Sequence, residues 1–345
     1  MDELLACQRL VPELTEKLRA RYRVLQRIRL HQPIGRRTLA YSLGTTERIL
    51  RADVELFREQ GLIEIGPLGM SMTAMGESLM EELDGVIRTL DGRDAMEQQL
   101  SETIGVGRVV VVRGNSEQDD GAQREMGQAA ADVLRTYLGA NCTVAVTGGS
   151  TMAAMADVMP RTPALHGVLV LPARGGLGER VELLAGTIAS RLAEKLGGSY
   201  RMFHVPESLS LETAQTLSME PIVQEIAEQI RGADIVIHGI GEALTMAKRR
   251  RLDDATIHLL QERGAVAEAF GYYFDEAGGI VHVMNTVGLR LEDLARIPVV
   301  IGVAGGRGKW TAIRAAARAY RMDALVTDEG AARALIEGAK GNVSG

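Results

Sequence analysis

Apolar residues follow two different rhythms along this chain, and the rhythm changes near residue 105. Over the first hundred residues they recur three and four apart, the period of amphipathic helices. Beyond that point short β-branched runs alternate with helical stretches. The segment "RYRVLQRIRLHQPIGRRTLAYSLGTTERILRADVELFREQGLIEI" predicts three short helices. Tyr22, Leu25, Ile28 and Leu30 give the first an apolar side, and Pro33 stops it because proline clashes inside a helix. "GRRTLAYSLG" predicts a second helix ending at Gly44, a residue suited to a left-handed C-cap. The third follows at once, capped by Thr45 or Thr46, with Ile49, Val54 and Phe57 on its buried side. Two helices joined by so short a turn form a helix-turn-helix, whose second member enters the major groove. "GLIEIGPLGMSMT" then supplies two short strands around Gly66, Pro67 and Gly69, a wing.

Residues 74–104 carry Leu79, Leu83, Val86, Leu90, Leu100 and Ile104 at roughly helical spacing, an amphipathic linker. It can pack on its own body or pair with a second subunit. A dimer would match a palindromic operator, which favours pairing. From Val109 onward "VVVV", "TVAVT", "GVLVLPA", "YRMFHV", "ADIVIHGIG", "VVIGVAGG" and "ALVTD" alternate with helical patterns. That rhythm predicts a Rossmann-like, mainly parallel α/β sheet covered on both faces, with ligands at the carboxyl ends of its strands. The expected organisation is a winged helix-turn-helix at 1–73, a linker at 74–104 and an α/β domain at 105–345.

Composition adds little to the fold but sorts the partners. A chain of 345 residues is long enough for two domains, and 46% hydrophobic with 24% charged residues is ordinary for a soluble protein. Cys7 and Cys142 form neither a disulfide framework nor a metal spacing. The six histidines show no metal-ligand spacing, so no metal is expected. An acidic N-terminus and the lack of a 20-residue apolar run predict a cytoplasmic protein without a membrane span. The net charge of −6 hides an asymmetry: Lys17 to Arg51 holds ten basic residues against one acid, leaving −15 on the remainder. A basic helix face is often merely solvated, but here it coincides with the helix-turn-helix, and DNA becomes the expected partner. Thr45, Thr46, Arg48 and Arg51 are placed to reach base edges; Arg36 and Arg37, at the preceding helix start, are placed for phosphates.

Several strand ends in the second domain combine glycine with charge. "TGGST" at 147–151 leads into a helix, whose free N–H groups and dipole favour an anion. "PARGG" puts Arg174 after a strand, "HGIGEALTMAKRRR" brings Arg249, Arg250 and Arg251 near Gly239 and Gly241, and "AGGRGKW" places Lys309 at a helix start. Together they suggest a small ligand with two anionic groups. "AGGRGKW" is not a P-loop, since Val303 stands where its first glycine would be and Trp310 follows the lysine. There is no dinucleotide fingerprint and no nucleophile-elbow serine. His238, ending an apolar strand, reads as a satisfied core residue, and Met152, Met155 and Met159 as helix packing.

The N-terminal winged helix-turn-helix together with "VTGGST", "PARGGLGE", "HGIGEA", "AFGYYF", "GVAGG" and "LVTDEGAA" resembles the SorC family of bacterial sugar-responsive repressors. The resemblance runs over nearly the whole chain. It implies a repressor of glycolytic genes whose hold on operator DNA is relaxed by a phosphosugar, fructose-1,6-bisphosphate. It further implies that Gly148, Gly149, Ser150 and Thr151 hold one phosphate and that Arg174, Arg249, Arg250 and Lys309 serve the ligand's anionic groups. Glu268, before "AFGYYF", would accept from sugar hydroxyls. Leu183 and Leu184 depart from the polar Asn-Gln pair of the pattern, so one ligand hydrogen bond should be missing, a loss of about 0.5–1.5 kcal/mol. The implied partners are operator DNA, a phosphosugar and a second copy of the chain, with no cofactor.

The α/β unit also resembles the sugar-phosphate isomerase fold, so an isomerase-like enzyme with an appended DNA-binding domain is the rival reading. Aldose–ketose isomerisation needs a carboxylate base and an acid about the sugar C1 and C2. Amino-sugar isomerases carry Asp-Gly-His after their "GIG" turn, whereas this chain continues "GIGEALTM". Glu242 reads more simply as a helix-start glutamate. No catalytic residues and no enzyme activity are expected.

Overall fold

The computed structural model describes residues 6, 8–162, 166–175, 180–206 and 209–341. Cys7 and residues 176–179 of the "PARGGLGE" motif lie outside the described residues. The chain forms two compact units, Met1–Met96 and Glu97–Gly345.

The first unit contains α1 (Pro12–His31), α2 (Arg36–Ser42), α3 (Glu47–Glu59), β1 (Ile63–Gly66), β2 (Gly69–Met72) and α4 (Ala74–Leu90). Gly44, at φ 60°, closes α2 so that the Thr45 N–H returns to the Ala40 carbonyl at 3.0 Å. Thr46 occupies the N-cap position of α3 without a side-chain cap bond. The buried side of α3 is Leu50, Asp53, Val54 and Phe57. Ile49, expected inside, is 66% exposed. Val54 and Phe57 are buried as the sequence reading has them, and Leu50 and Asp53 stand inside where Ile49 was expected. Leu50 shares the face of Val54 and Phe57, and Asp53 joins it because its carboxylate is held by Lys17 at 3.1 Å and Arg21 at 2.9 Å, both on α1. In α1 itself Tyr22, Val24, Leu25 and Ile28 are buried, while Leu30 is only half-buried.

β1 and β2 pair antiparallel from Ile63↔Met72 to Gly66↔Gly69, forming the wing around Pro67 and Leu68. Ile34 bridges Met70, and a side chain at Gly69 would collide with the Ile34 backbone at 2.6 Å, which requires glycine there. In place of one linker helix over 74–104 there are two, α4 and α5 (Arg93–Ile104), broken at Gly92 with φ 68°. Thr73 caps α4 by accepting from the Gly76 N–H. Met80 and Ile87 of α4 join the core of the first unit. Part of the apolar face of α4 thus serves its own domain, while Leu79, Leu83 and Val86 are half-buried.

The second unit is built on a seven-stranded sheet, every neighbouring pair parallel, in the order β3-β13-β12-β7-β4-β5-β6. Its strands are β3 (Arg108–Val112), β4 (Thr143–Val146), β5 (Leu169–Pro172), β6 (Ser199–Tyr200), β7 (Ile235–Gly239), β12 (Val299–Val303) and β13 (Ala324–Asp328). The helices are α6 (Asp120–Tyr137), α7 (Ser150–Val158), α8 (Ala185–Leu196), α9 (Leu211–Met219), α10 (Pro221–Arg231), α11 (Ala243–Arg249), α12 (Asp254–Glu262), α13 (Trp310–Ala319) and α14 (Glu329–Gly341). Met152, Met155 and Met159 are fully buried in the sheet–helix core. "YRMFHV" gives only the last residue of the two-residue β6, and 201–206 are irregular.

A second sheet went unread in the sequence. It is antiparallel, ordered β11-β10-β9-β8, from β8 (Gly241–Glu242), β9 (Ala265–Ala269), β10 (Tyr272–Asp275) and β11 (Ile280–Val283). Its β9–β10 hairpin turns on only Phe270 and Gly271, at φ 55° and 83°. Both residues of such a tight turn must take positive φ, which is costly for a phenylalanine. The ring is nevertheless retained in a buried cluster, with centroids 4.4 Å from His238 and 5.9 Å from Tyr320.

Candidate functional site

The carboxyl ends of β4, β5, β7 and β12 open into one cavity of about 600 Å³. Gly148, Gly149, Ser150, Thr151, Arg174, Arg249, Arg250, Glu268 and Lys309 all line it, as do Leu183 and Leu184.

Part of the lining is the "TGGST" turn. Thr147 Oγ1 accepts from the Gly239 N–H at 3.1 Å, tying the ends of β4 and β7 together. A side chain at Gly148 would meet the Leu183 carbonyl at 2.6 Å, and the Gly149 N–H donates to that same oxygen at 2.9 Å. Gly149, at φ 121°, is the N-cap of α7 and brings no side-chain cap. The N–H groups of Ser150, Thr151 and Met152 have no acceptor among the described residues, and a helix start in that state attracts an anion.

Cations line the same cavity. Arg250 reaches Glu268 at 2.7 Å, and both side chains are buried. The Glu268 Oε1 also accepts from the Gly271 N–H at 2.7 Å. Burial alone would raise the Glu268 pKa; the guanidinium groups of Arg250 and Arg174 and these hydrogen bonds hold it below the usual carboxylate range. The carboxylate expected to meet sugar hydroxyls is paired with Arg250, feels the charge of Arg174 and holds the strained hairpin tip. Lys309 and Arg249 have no carboxylate within ion-pair distance among the described residues. Burial pushes the Lys309 ammonium below the usual lysine range; Glu117, Asp328 and Glu242 oppose this and Arg249 adds to it. The helix start beside Lys309 differs from that of α7. Its Gly306, Arg307 and Gly308 N–H groups are already taken by Asp328, Asn115 and Glu117.

His238 departs from the sequence reading in one respect. It is fully buried and its Nδ1 lies 3.0 Å from the Gly239 carbonyl, but its Nε2 has no partner among the described residues. Burial lowers its pKa to about 4, with the Gly239 carbonyl and Glu268 opposing the shift. Glu242 precedes α11 and accepts from the Thr245 hydroxyl at 2.8 Å. Among the described residues no cluster of His, Cys, Asp and Glu could hold a metal ion, and no helix is long and apolar enough to cross a membrane.

In the first unit Arg36, Arg37, Thr46, Arg48 and Arg51 are exposed, and Thr45 is half-buried. Two residues of consequence escaped the sequence reading. Asp53 sits in the apolar stripe Leu50, Val54, Phe57, where an acid three and four residues from apolar neighbours was the available signal. Phe270 is signalled only by the "FG" pair between two alternating runs.

Two family descriptions match the chain: "CggR N-terminal DNA binding domain" over residues 18–87 and "Putative sugar-binding domain" over residues 89–337. The central glycolytic genes regulator of Priestia megaterium (strain DSM 319 / IMG 1521) is 46% identical over 340 residues, covering 97% of this chain and 99% of the relative. That of Bacillus subtilis (strain 168) is 40% identical over 337 residues, with the same coverage of both chains. A crystal structure from Enterococcus faecalis, described as a "putative SorC family transcriptional regulator", is 39% identical with a TM-score of 0.66. It covers 70% of this chain and 99% of its own. These relatives are regulators rather than enzymes, which sets the isomerase reading aside. A DNA-binding unit joined to a parallel α/β sugar-binding unit, with these matches over nearly its full length, places the chain in the SorC family of transcriptional regulators, among the central glycolytic genes regulators.

Proposed function

We propose that this chain represses glycolytic genes in the cytoplasm and that fructose-1,6-bisphosphate loosens its hold on operator DNA. The observation that carries this reading is one cavity lined both by an uncapped helix start and by Arg249 and Lys309, two cations with no carboxylate partner among the described residues. A helix start open to an anion and two cations without a carboxylate partner, lining one cavity, suit a sugar carrying two phosphates better than a monophosphate. That the relatives are regulators of central glycolytic genes supports a ligand of the same class. Leu183 and Leu184 put an apolar wall beside that helix start, so a polar contact there is absent and affinity should be tuned by about 0.5–1.5 kcal/mol.

The DNA-bound form pairs two winged units on operator half-sites. The bisphosphate shifts that arrangement only by its difference in affinity for the bound and released states. Fluorescence anisotropy of labelled glycolytic-operon promoter DNA, titrated with fructose-1,6-bisphosphate at fixed salt, tests the reading. Fructose-6-phosphate, glucose-6-phosphate and unrelated DNA are the controls. Specific binding should weaken, or lose cooperativity, with the bisphosphate alone. An equal response to a monophosphate would reassign the effector, and no specific DNA binding under any condition would remove the repressor role.

A further inference from the structure

Helix α3 leaves two apolar side chains in solvent on its charged side. Its rotation is set by Leu50, Val54 and Phe57 in the core and by the Asp53 bridge to Lys17 and Arg21. That rotation turns Arg48, Ile49, Arg51 and Ala52 outward. Ile49 is 66% exposed, whereas six of the unit's nine other isoleucines and valines are buried. A β-branched side chain gains nothing on an exposed helix surface: it lowers helix propensity and leaves apolar area in water. Residues three apart share a helix face, so Ile49 and Ala52 form an apolar strip beside Arg48 and Arg51. With Arg36 and Arg37 also exposed, the surroundings of that strip match a polyanion. The apolar group that B-DNA displays in the major groove is the thymine C5-methyl.

We propose that Ile49 and Ala52 read thymine methyl groups next to the bases met by Arg48. The proposal rests on α3 being the helix that enters the groove, as the functional reading assumes. It adds that part of operator choice is made by apolar contact, not only by arginine hydrogen bonds.

The test uses the full-length chain and a duplex enriched from a random-sequence pool by repeated selection on it. Each thymine of that duplex is replaced in turn by deoxyuridine, which keeps the base pair and removes only the methyl group. Wild-type protein should lose about fourfold in affinity for each methyl it reads, the equivalent of one buried CH2, and nothing at other thymines. Ile49→Ala should bind the thymine duplex more weakly and be indifferent to deoxyuridine at the same position, with thermal melting not lowered because the side chain is exposed and alanine favours the helix. Equal deoxyuridine sensitivity in wild type and Ile49→Ala overturns the proposal, as does indifference of the wild type at every thymine. If Arg48→Ala and Ile49→Ala both bind the enriched duplex as wild type does, the fault lies deeper: α3 is not the reading helix, and the proposal falls with it.

Discussion

Glu268→Gln separates two roles for the carboxylate at the centre of the cavity. In the structure Glu268 balances the buried Arg250 at 2.7 Å and faces the Arg174 guanidinium, while its Oε1 holds the Gly271 N–H of the hairpin tip. Glutamine keeps the shape and can still accept from Gly271, but it removes the charge. Breaking a buried pair from one side typically costs about 3–5 kcal/mol, because the remaining cation is left uncompensated. Taking about 3 kcal/mol for a substitution that retains an acceptor, and about 2–4 °C per kcal/mol for a domain of this size, the second unit should melt roughly 6–12 °C lower. Trp310 is the chain's single tryptophan and starts α13, so its fluorescence follows this unit alone. An added bisphosphate should restore more of the melting temperature in Glu268→Gln than it adds to the wild type, since it supplies the missing negative charge. A side chain whose main role is to accept from sugar hydroxyls would behave in the opposite way, with stability intact and ligand stabilisation reduced. A melting temperature within about 2 °C of wild type would refute the charge-balance argument.

Three further outcomes follow from particular contacts. His238, neutral in the fold with a pKa of about 4 against an ordinary 6.5, makes the second unit lose stability as pH falls from 6.5 toward 4, because only the unfolded chain takes up the proton. Between pH 7 and 4.5 the loss is about 2 kcal/mol, and His238→Asn should flatten that slope in denaturation followed by Trp310; an unchanged slope would reject the assignment. Gly148→Ala sets a methyl group 2.6 Å from the Leu183 carbonyl, so the turn must move at a cost of about 1–3 kcal/mol. Inorganic phosphate should then cease to raise the melting temperature while DNA binding persists; equal stabilisation of variant and wild type would move the anion seat elsewhere. Asp53→Ala frees α3 from α1; because the side chains of Lys17 and Arg21 are 53% and 40% exposed, the loss is held to about 1–2 kcal/mol. Faster hydrogen exchange across α3 and weaker operator binding are expected, and unaltered exchange would show that the apolar contacts suffice.

The sequence by itself determined the elements and most of their order, because helix period, β-branched runs and glycine turns act over a few residues. Gly44 and the Gly148–Gly149 turn were legible for that reason: each takes up or permits a backbone course that other residues resist. The charge asymmetry that marks the first unit was equally open to reading. What the tertiary structure decided is which side of each element faces inward and which polar groups remain unspent. Ile49 and Leu50 are adjacent apolar residues; Leu50 meets the core with Val54 and Phe57, and the distant partners Lys17 and Arg21 hold Asp53 on that same side. Met80 and Ile87 of α4 are not distinguished by period from their neighbours, and packing in the core of the first unit is what buries them. Around the cavity Glu268 looked like a free ligand contact until the hairpin carried it against Arg250 and Arg174. The second sheet was hidden because its strands are short and its turn uses a phenylalanine where local preference calls for asparagine or glycine. Local preference writes the elements, but the energy of burying a charge or an aromatic ring depends on neighbours far away in the chain, and that energy sets their faces.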